Sequence, residues 1–486
     1  MTDPTKQPGP RIGKDEWVAR HGDNRDRRAG VAGAIEERLR TVPWWAWLAL
    51  FTGIVCLLPI GVESGYARRI AFDTVIYMLL ALGLNVVVGW GGLLDLGYVA
   101  FFGVGAYTYA FLSSDKFDLH LPAILTIPLA CVVGAVIGLL VGLPSRRLVG
   151  DYLAIVTLFF FQIFLTATNN GENIFGADVT GGPNGIINVD PLALFGRELP
   201  VSTEGIFNVA YLYVALAAFV AVYVALRFVD RSRTGRAWRS LREDPLAAEL
   251  MGMPVSWLKL MAFAFGASVA ALAGTLATAL NASVFPQSFE FPIMITIYTM
   301  VILGGAGSQA GVVMGAIMIS VLLEVLREPG DARFLFYTLG LLGLFAAFRF
   351  SVRLAVVLGG TISFGLLAHA VAGGVDGGWT GGAQSGGSRL GDWAAHWVIV
   401  PADLASWLAP VSYIGLVGLT LALTLLHGWR RLALLVPTLY LAAFVWENVM
   451  LVKPEPTRFV ILGAILVAVM VARPAGLLGE KRVEIV

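Results

Sequence analysis

The feature that most constrains this chain is a series of apolar runs that are nearly free of charged side chains. A helix of about 20 apolar residues crosses the ~30 Å hydrocarbon core of a bilayer, because each residue adds ~1.5 Å. Hydrophobic residues make up 57% of the 486 positions and charged residues only 14%. Soluble domains, in comparison, contain about 45–50% apolar residues and about 25% charged residues. One soluble core cannot bury such an excess, so the sequence predicts that lipid surrounds much of the protein.

The runs are long and lack the alternation of barrel strands, so they predict helices. The predicted fold class is therefore all-α, a polytopic membrane protein with about 14 transmembrane helices. The weakest candidates, 92–112 and 291–304, are bordered by glycine clusters and are also consistent with broken or re-entrant segments. The candidate spans lie near 43–61, 70–89, 92–112, 121–142, 151–168, 207–228, 257–280, 291–304, 308–327, 333–349, 354–373, 404–426, 431–448 and 457–473.

Basic residues in short loops predict the orientation, since lysine and arginine are retained on the cytoplasmic side. Threading the spans from a cytoplasmic N-terminus places both termini in the cytoplasm and the loops 169–206 and 374–402 outside. Arg68 and Arg69 are the main exceptions to this pattern. The basic residues that fall inside are Arg146, Arg147, Arg227, Arg231, Arg233, Arg236, Arg239, Arg242, Arg349, Arg353, Arg430, Arg431, Lys481 and Arg482.

Composition and motifs also exclude several classes of function. A net charge of +1 provides no basis for binding nucleic acid. The five histidines are scattered, and Cys56 and Cys131 lie in apolar runs, so neither a metal site nor a disulfide framework is predicted. The chain has no Gly-x-x-x-x-Gly-Lys-Ser/Thr phosphate loop and no predicted catalytic residue.

The long basic loop 230–260 predicts a short surface helix. Asp244 is placed to cap a helix that begins at Pro245, where a missing N–H costs nothing, and Gly252 is placed to end it. One interpretation is an element that docks into a groove on a soluble partner; the other is an interfacial helix in a positive-inside loop. The residues that supply its small, mostly apolar surface are Leu246, Ala247, Ala248, Leu250 and Met251.

Six motifs follow one another along the chain: LGLNVVVGWGGLLDLGYVAFFGVGAY (82–107), GDYLAIVTL (150–158), VTGGPNGI (179–186), GRAWRSLREDPLAAELMGM (235–253), VILGGAGSQAGVVMGA (301–316) and RPAGLLGE (473–480). In this order they resemble the branched-chain amino-acid permease family of ABC importers. GDYLAIVTL with TGGPNGI resembles its M-type rather than its H-type subunit. The resemblance covers roughly 40–350 and 457–480.

The resemblance implies a permease subunit of a binding-protein-dependent importer in the bacterial inner membrane, with a branched-chain amino acid as solute. It implies no cofactor and no enzyme activity in this chain, with ATP and magnesium on partner subunits. The implied partners are an H-type permease, two cytoplasmic ATPase subunits, a periplasmic solute-binding protein and membrane lipid. The implied ATPase-coupling residues are Gly235, Arg236, Arg239, Arg242, Glu243, Asp244, Ala247, Ala248, Met251 and Gly252.

Two alternatives to this function stay open. Urea permeases of this type look similar, so urea or a short amide is a possible solute. A secondary transporter of a different class would need no ATPase, and would show repeats with ion-coordinating breaks near the membrane midplane.

Three polar residues are candidates for a solute path. Asn85 and Asp95 interrupt a glycine-rich apolar segment, and Gln162 occupies a position where family members often carry glutamate. An ionisable group at membrane depth is expected to face a partner or a wet cavity. Asp95 follows the Gly91–Gly92 break, however, and the simpler interpretation is a helix cap near the interface. Asn85 is expected to make an interhelical hydrogen bond, and Gln162 to bond a solute or a neighbouring helix.

Two glycine-rich stretches predict turns. LGGAGSQAG (303–311) predicts a tight cytoplasmic hairpin or a solute contact, with Val312 where the family commonly has proline. TGGPNGI (180–186) predicts an extracytoplasmic turn cluster that is either structural or abuts the binding protein.

The resemblance also suggests a domain plan. It comprises a polar cytoplasmic tail (1–42), a permease core (43–350), an accessory insertion with extra spans and a Gly-rich loop (351–456), and a final helix with a cytoplasmic tail (457–486). The last helix resembles a second copy of 331–350 with the family ending attached, so a tandem duplication is possible.

Overall fold

The computed structural model describes residues 43–61, 65–145, 151–173, 177–194, 197–199, 202–203, 206–207, 209–375, 377–382, 393–394, 396–473 and 475–479. The predicted N-terminal tail, Arg146, Arg147, Lys481 and Arg482 lie outside these ranges. The helices are α1 Trp44–Gly61, α2 Gly65–Leu84, α3 Tyr98–Leu112, α4 Ala123–Ser145, α5 Asp151–Asn169, α6 Val209–Arg231, α7 Arg233–Glu243, α8 Pro245–Leu250, α9 Val255–Asn281, α10 Phe291–Gly304, α11 Gln309–Val325, α12 Pro329–Phe348, α13 Val352–Val375, α14 Leu408–Leu425, α15 Trp429–Val445 and α16 Pro454–Ala472.

The described strands are two-residue pairs in loops. They are β1 Ile186–Ile187, β2 Ala193–Leu194, β3 Arg197–Glu198, β4 Ser202–Thr203, β5 Ile206–Phe207 and β6 Ser283–Val284. β1 pairs with β6, β2 with β3 and β4 with β5, all antiparallel. The all-α prediction is therefore confirmed for the described ranges.

The predicted spans correspond to helices in the described residues. Eleven helices are long and apolar enough to cross a membrane, and three shorter apolar helices lie at Trp44–Pro59, Tyr98–Leu112 and Gln309–Val325. Both weak candidates are short: α3 has 15 residues and begins only after a break at 91–97, and α10 has 14 and is preceded by a 3₁₀ turn. The chain divides into two compact units after Gly61, and α1 is the described part of the first.

Helix α9 forms the centre of the second unit, where it packs against α2, α3 and α4. Small residues permit these contacts: a Cβ at Gly105 would lie 2.1 Å from the Ala271 carbonyl oxygen, and one at Gly274 would lie 2.1 Å from that of Phe102. Without a hydrophobic force between helices in lipid, such close packing stabilises their association. Gly105 lies in the glycine-rich segment 82–107, so this segment supplies one of the close helix contacts.

The helices after residue 350 pack mainly on one another, since α13 and α14 both contact α15. Helix α12 joins this group, because Arg333 forms a buried ion pair with Glu447 and Phe336 stacks on Trp446 at 4.4 Å. Helix α16, in contrast, packs against α10 in the permease core. Helices α12 to α15 therefore form a packed group that lies, along the chain, between α11 and α16.

Candidate functional site

Local sequence determines the shape of the predicted coupling loop. The Ser232 hydroxyl caps α7 by accepting a hydrogen bond from the Gly235 amide. The Asp244 carboxylate accepts from the amides of Leu246 and Ala247 at 2.9 and 3.1 Å, and Pro245 occupies the first position of α8. Gly252 follows α8 with φ +80°, a conformation that favours glycine. The predicted cap, start and stop of α8 are confirmed. We call residues 232–254 the coupling segment.

The apolar face of α8 points away from the protein. Leu246 is 67% exposed, and Leu250 and Met251 are each 80% exposed. Ala247 and Glu243 are also exposed, whereas Ala248 is buried against the rest of the chain. Large apolar groups exposed at this density beyond the ends of membrane helices are typical of an interaction surface.

The arginines of α7 divide between the surface and the protein interior. Arg239 pairs with Asp230, and Arg236 donates to the Arg231 carbonyl oxygen at 3.0 Å, so both stabilise the corner between α6 and α7. Gly235 is buried at this corner, where a Cβ would lie 2.4 Å from the Val229 carbonyl oxygen. These three predicted residues therefore shape the segment.

Arg242 connects the coupling segment to the core. Its Nη1 donates to the Gly89 carbonyl oxygen at 2.6 Å and to the Ala306 carbonyl oxygen at 3.3 Å. Gly89 belongs to a π-helical turn, Asn85–Trp90, that ends helix α2. Such turns leave backbone carbonyls open to new partners and occur frequently at functional sites.

The π-helical turn also bonds the glycine turn between α10 and α11. The Gly307 amide donates to Asn85 Oδ1 at 2.7 Å, and Trp90 Nε1 donates to the Gly307 carbonyl oxygen at 3.0 Å. Asn85 was predicted to bond a neighbouring helix; its partner is instead the turn between α10 and α11. Gly307 has φ +100°, and LGGAGSQAG forms the predicted tight hairpin.

Two tryptophans complete this contact. Trp238 on α7 is fully buried and stacks on Trp90, with ring centroids 6.2 Å apart. Its Nε1 donates to the Leu258 carbonyl oxygen near the start of α9 at 2.8 Å. We call Asn85, Gly89, Trp90, Trp238, Arg242, Ala306 and Gly307 the Arg242 junction. Neither tryptophan is among the predicted functional residues, although both lie within the motifs.

The closing motif folds onto the same glycine turn. The amides of Leu477 and Leu478 donate to the carbonyl oxygens of Leu303 and Gly304 at 2.9 and 3.1 Å. These are last-turn carbonyls of α10, which lack partners within their own helix. Four of the six motifs therefore meet at one end of the helix bundle, the end predicted to be cytoplasmic.

The three candidates for a solute path do not converge. Asn85 belongs to the Arg242 junction. Asp95 is fully buried before α3, where its Oδ1 accepts from the Gly97 amide at 2.9 Å and its backbone bonds the Tyr298 hydroxyl. Gln162 is exposed on α5 and borders an open groove of about 590 Å³. A role of these residues in solute transfer remains a prediction.

The TGGPNGI segment is part of an ordered loop. Ile186 pairs with Val284 across β1 and β6, and Gln287 donates to the Pro183 carbonyl oxygen at 3.1 Å. Lys116 forms an ion pair with Asp178 at 2.8 Å, and the hydrogen bond from this ammonium lowers the pKa of Asp178. The structural role is therefore present, and contact with a binding protein remains a prediction.

Comparison with known proteins identifies the family of this chain. The model of the family described as branched-chain amino acid transport system / permease component matches residues 66–333, more than half of the chain. The chain belongs to this family. The matched region extends from the start of α2 to Arg333 and contains the Arg242 junction.

Curated relatives match over a similar region. The high-affinity branched-chain amino acid transport system permease protein LivM of Salmonella typhimurium is 42% identical over 277 residues, which are 53% of this chain and 63% of the relative. A probable branched-chain amino acid transport permease protein LivM of Methanocaldococcus jannaschii is 27% identical over 58% of this chain and 80% of the relative. The LivH permease protein of S. typhimurium is 23% identical over 50% of this chain and 80% of the relative. The chain thus spans less than two-thirds of the S. typhimurium LivM protein. No solved structure matches.

Proposed function

We propose that this chain is a transmembrane permease subunit of a binding-protein-dependent ABC importer for branched-chain amino acids in the bacterial inner membrane. The observation that carries the proposal is the Arg242 junction, which joins α7, the helix that precedes the exposed apolar helix α8, to the end of a buried membrane helix. Family membership and the names of the relatives support the transport class and the solute.

The geometry supports a defined route for coupling. A cytoplasmic ATPase subunit holds the exposed Leu250 and Met251 in a groove. When two such subunits close on ATP and magnesium, α8 moves and α7 moves with it. Arg242 and Trp238 pass the movement to α2 through Gly89 and Trp90, and to α9 through Leu258. These two helices then change access to the solute path.

The proposed assembly contains further chains. Similarity to both LivM and LivH proteins supports a permease pair, in which an H-type subunit completes the path. A periplasmic binding protein delivers the solute to the outer loops. ATP hydrolysis takes place on the two ATPase subunits, so this chain is not itself an enzyme.

Co-expression with the candidate permease and ATPase subunits of the same genome tests the proposal. We expect ATPase subunits to co-purify with the native chain, and leucine-loaded binding protein to stimulate hydrolysis in proteoliposomes. The double variant Leu250→Asp/Met251→Asp should abolish co-purification, because two charges cannot enter an apolar groove. Glu249→Gln, on the same exposed helix, is the matched control and should bind normally.

The alternatives give different results in the same assay. Hydrolysis stimulated by urea-loaded but not leucine-loaded binding protein would identify an amide permease. If no ATPase subunit binds and leucine uptake follows an imposed proton or sodium gradient, the chain is a secondary transporter and the ABC assignment is wrong.

A further inference from the structure

A cavity of about 350 Å³ lies between helices α2, α3, α9, α11 and α16, at the opposite end of α9 from the coupling segment. Its lining includes the end of α9 at Asn281, whereas the Trp238 contact is at Leu258 near the start of that helix. The separation is about 35 Å at ~1.5 Å per residue. The volume is within the range of small-molecule sites, about 300–1,000 Å³.

Three charged side chains line this cavity: Asp73 on α2, Glu324 on α11 and Arg458 on α16. The two acids already have basic partners. Asp73 pairs with Arg69 at 3.1 Å, and Glu324 lies 3.6 Å from Arg327. Arg69 also donates to Asn281 Oδ1 at 2.7 Å, which fixes a second wall of the cavity.

Arg458 differs from the acids because its charge is not compensated. Within the described part of the chain it has no carboxylate at ion-pairing distance, and its buried Nε has no hydrogen-bond partner. Ser320, which is 8% exposed, also lines the cavity, and its buried hydroxyl has no partner either. Unpaired polar groups and charges are costly in such surroundings, so two independent positions indicate a polar ligand.

The remaining wall suits an aliphatic group. Ile70, Phe102, Val284 and Ile293 line the cavity beside the polar positions. A guanidinium binds a carboxylate through two parallel hydrogen bonds. Carboxylate oxygens of Asp73 and Glu324 accept hydrogen bonds from an ammonium group. The cavity therefore offers complementary groups for each part of an aliphatic α-amino acid.

We propose that this cavity is a solute site of the permease, in which Arg458 holds the carboxylate of a zwitterionic amino acid, Asp73 and Glu324 face its ammonium group, and the apolar wall holds an aliphatic side chain. The inference rests on the proposed function for the solute class. Helix α2 lines the cavity at Asp73 and ends at the Arg242 junction, so movement of the coupling segment acts on the site through one helix.

Thiol labelling tests the site without relying on transport. Ser320→Cys is introduced together with Cys56→Ser and Cys131→Ser, and a small cationic methanethiosulfonate reagent is applied to the chain in neutral-lipid nanodiscs. We expect leucine to slow labelling at least fivefold and urea to leave it unchanged. Ser351→Cys, on the loop after α12, is the control and should label equally with either solute.

Two outcomes of the labelling overturn the proposal. Unchanged labelling at millimolar leucine means that no amino acid enters the cavity. Protection by phosphatidylglycerol in the nanodisc, without any effect of leucine, means that an anionic lipid headgroup compensates Arg458.

Uptake measurements on the complete transporter test the proposed site separately from the proposed function. Arg458→Gln should lower leucine uptake at least tenfold while ATPase subunits still co-purify, and Arg353→Gln, on exposed α13, should transport normally. Normal native uptake with an unaffected Arg458→Gln variant overturns the site and leaves the proposed function intact. Leucine protection of Ser320→Cys in a transporter that shows no leucine uptake supports the site and contradicts the proposed function.

Discussion

Arg242 on the coupling segment and Gly89 at the end of helix α2 are joined by a hydrogen bond of 2.6 Å from Nη1 to the carbonyl oxygen. The two residues are 153 positions apart in the chain. Regular α-helical bonding would satisfy the Gly89 carbonyl within its own helix if the helix continued, but the helix ends one residue later, at Trp90. The helix end is therefore completed by a side chain from the proposed ATPase-docking element.

Replacing Arg242 should uncouple the transporter without releasing its ATPase subunits. Arg242→Gln removes hydrogen bonds from a charged donor, which contribute about 1.5–3 kcal/mol each. We expect the leucine transported per ATP hydrolysed to fall about tenfold or more, with unchanged co-purification. Arg233→Gln, an exposed arginine on the same helix, is the control. Equal coupling in both variants would contradict the role of the junction.

Changes at the glycine turn should lower stability. Gly307→Ala adds a Cβ 2.5 Å from Arg242 Nη1, at a residue whose φ of +100° is strained for any L side chain. Asn85→Ala leaves the Gly307 amide unpaired, a loss of about 1–3 kcal/mol. Thermal denaturation in detergent should show a lower Tm for both variants. Gly340→Ala, with open space around its Cβ, should keep the native Tm.

The buried ion pair between Arg333 and Glu447 should hold α12 against the turn that follows α15. Both side chains are at most 1% exposed, and Tyr337 adds a hydrogen bond to Glu447 at 3.1 Å. Breaking such a pair costs about 3–5 kcal/mol, because one buried charge is left alone, whereas replacing both partners by apolar residues is often neutral.

We therefore expect Glu447→Gln to lower the Tm markedly and Arg333→Met/Glu447→Leu to restore much of it. Asp331→Asn, an exposed acid in the first turn of α12, is the control and should have little effect. A double variant no more stable than Glu447→Gln would show that the pair itself is required.

An outer loop should make stability depend on pH. His120 Nδ1 lies 2.7 Å from Asp190 Oδ2, and this hydrogen bond, with the charge of Asp190, raises the pKa of His120. Because the pKa of His120 is higher in the folded than in the unfolded protein, protonated His120 stabilises the fold. This stabilisation is fully present below the unfolded pKa of about 6.5 and is lost as pH rises through the folded pKa.

The Tm difference between the native chain and His120→Ala should therefore be largest near pH ~5.5 and disappear near pH ~9. Asp190→Asn should remove most of the same dependence, and His396→Ala should retain it. A difference that stays constant over this range would show that packing, and not the charge of His120, stabilises the loop.

Local features of the sequence determined the membrane class, the helix positions and the shape of the coupling segment. Each depends on residues close together in the chain: apolar runs long enough to span a bilayer, Asp244 before Pro245, and Gly252 after Leu250. Asp73, Glu324 and Arg458 were not among the residues predicted to be functional, because the sequence does not show that they share a cavity.

Only the tertiary structure decided which of these residues meet. The Arg242 junction joins positions 64 to 222 residues apart, and the cavity joins Arg458 on α16 to helices α2, α3, α9 and α11. Asn85, Asp95 and Gln162 look equivalent as polar residues in apolar segments, yet they occupy a junction, a helix start and an exposed face. Pairing between distant helices depends on backbone approach at residues such as Gly105 and on the burial of whole faces. A linear pattern of residue types does not specify either one.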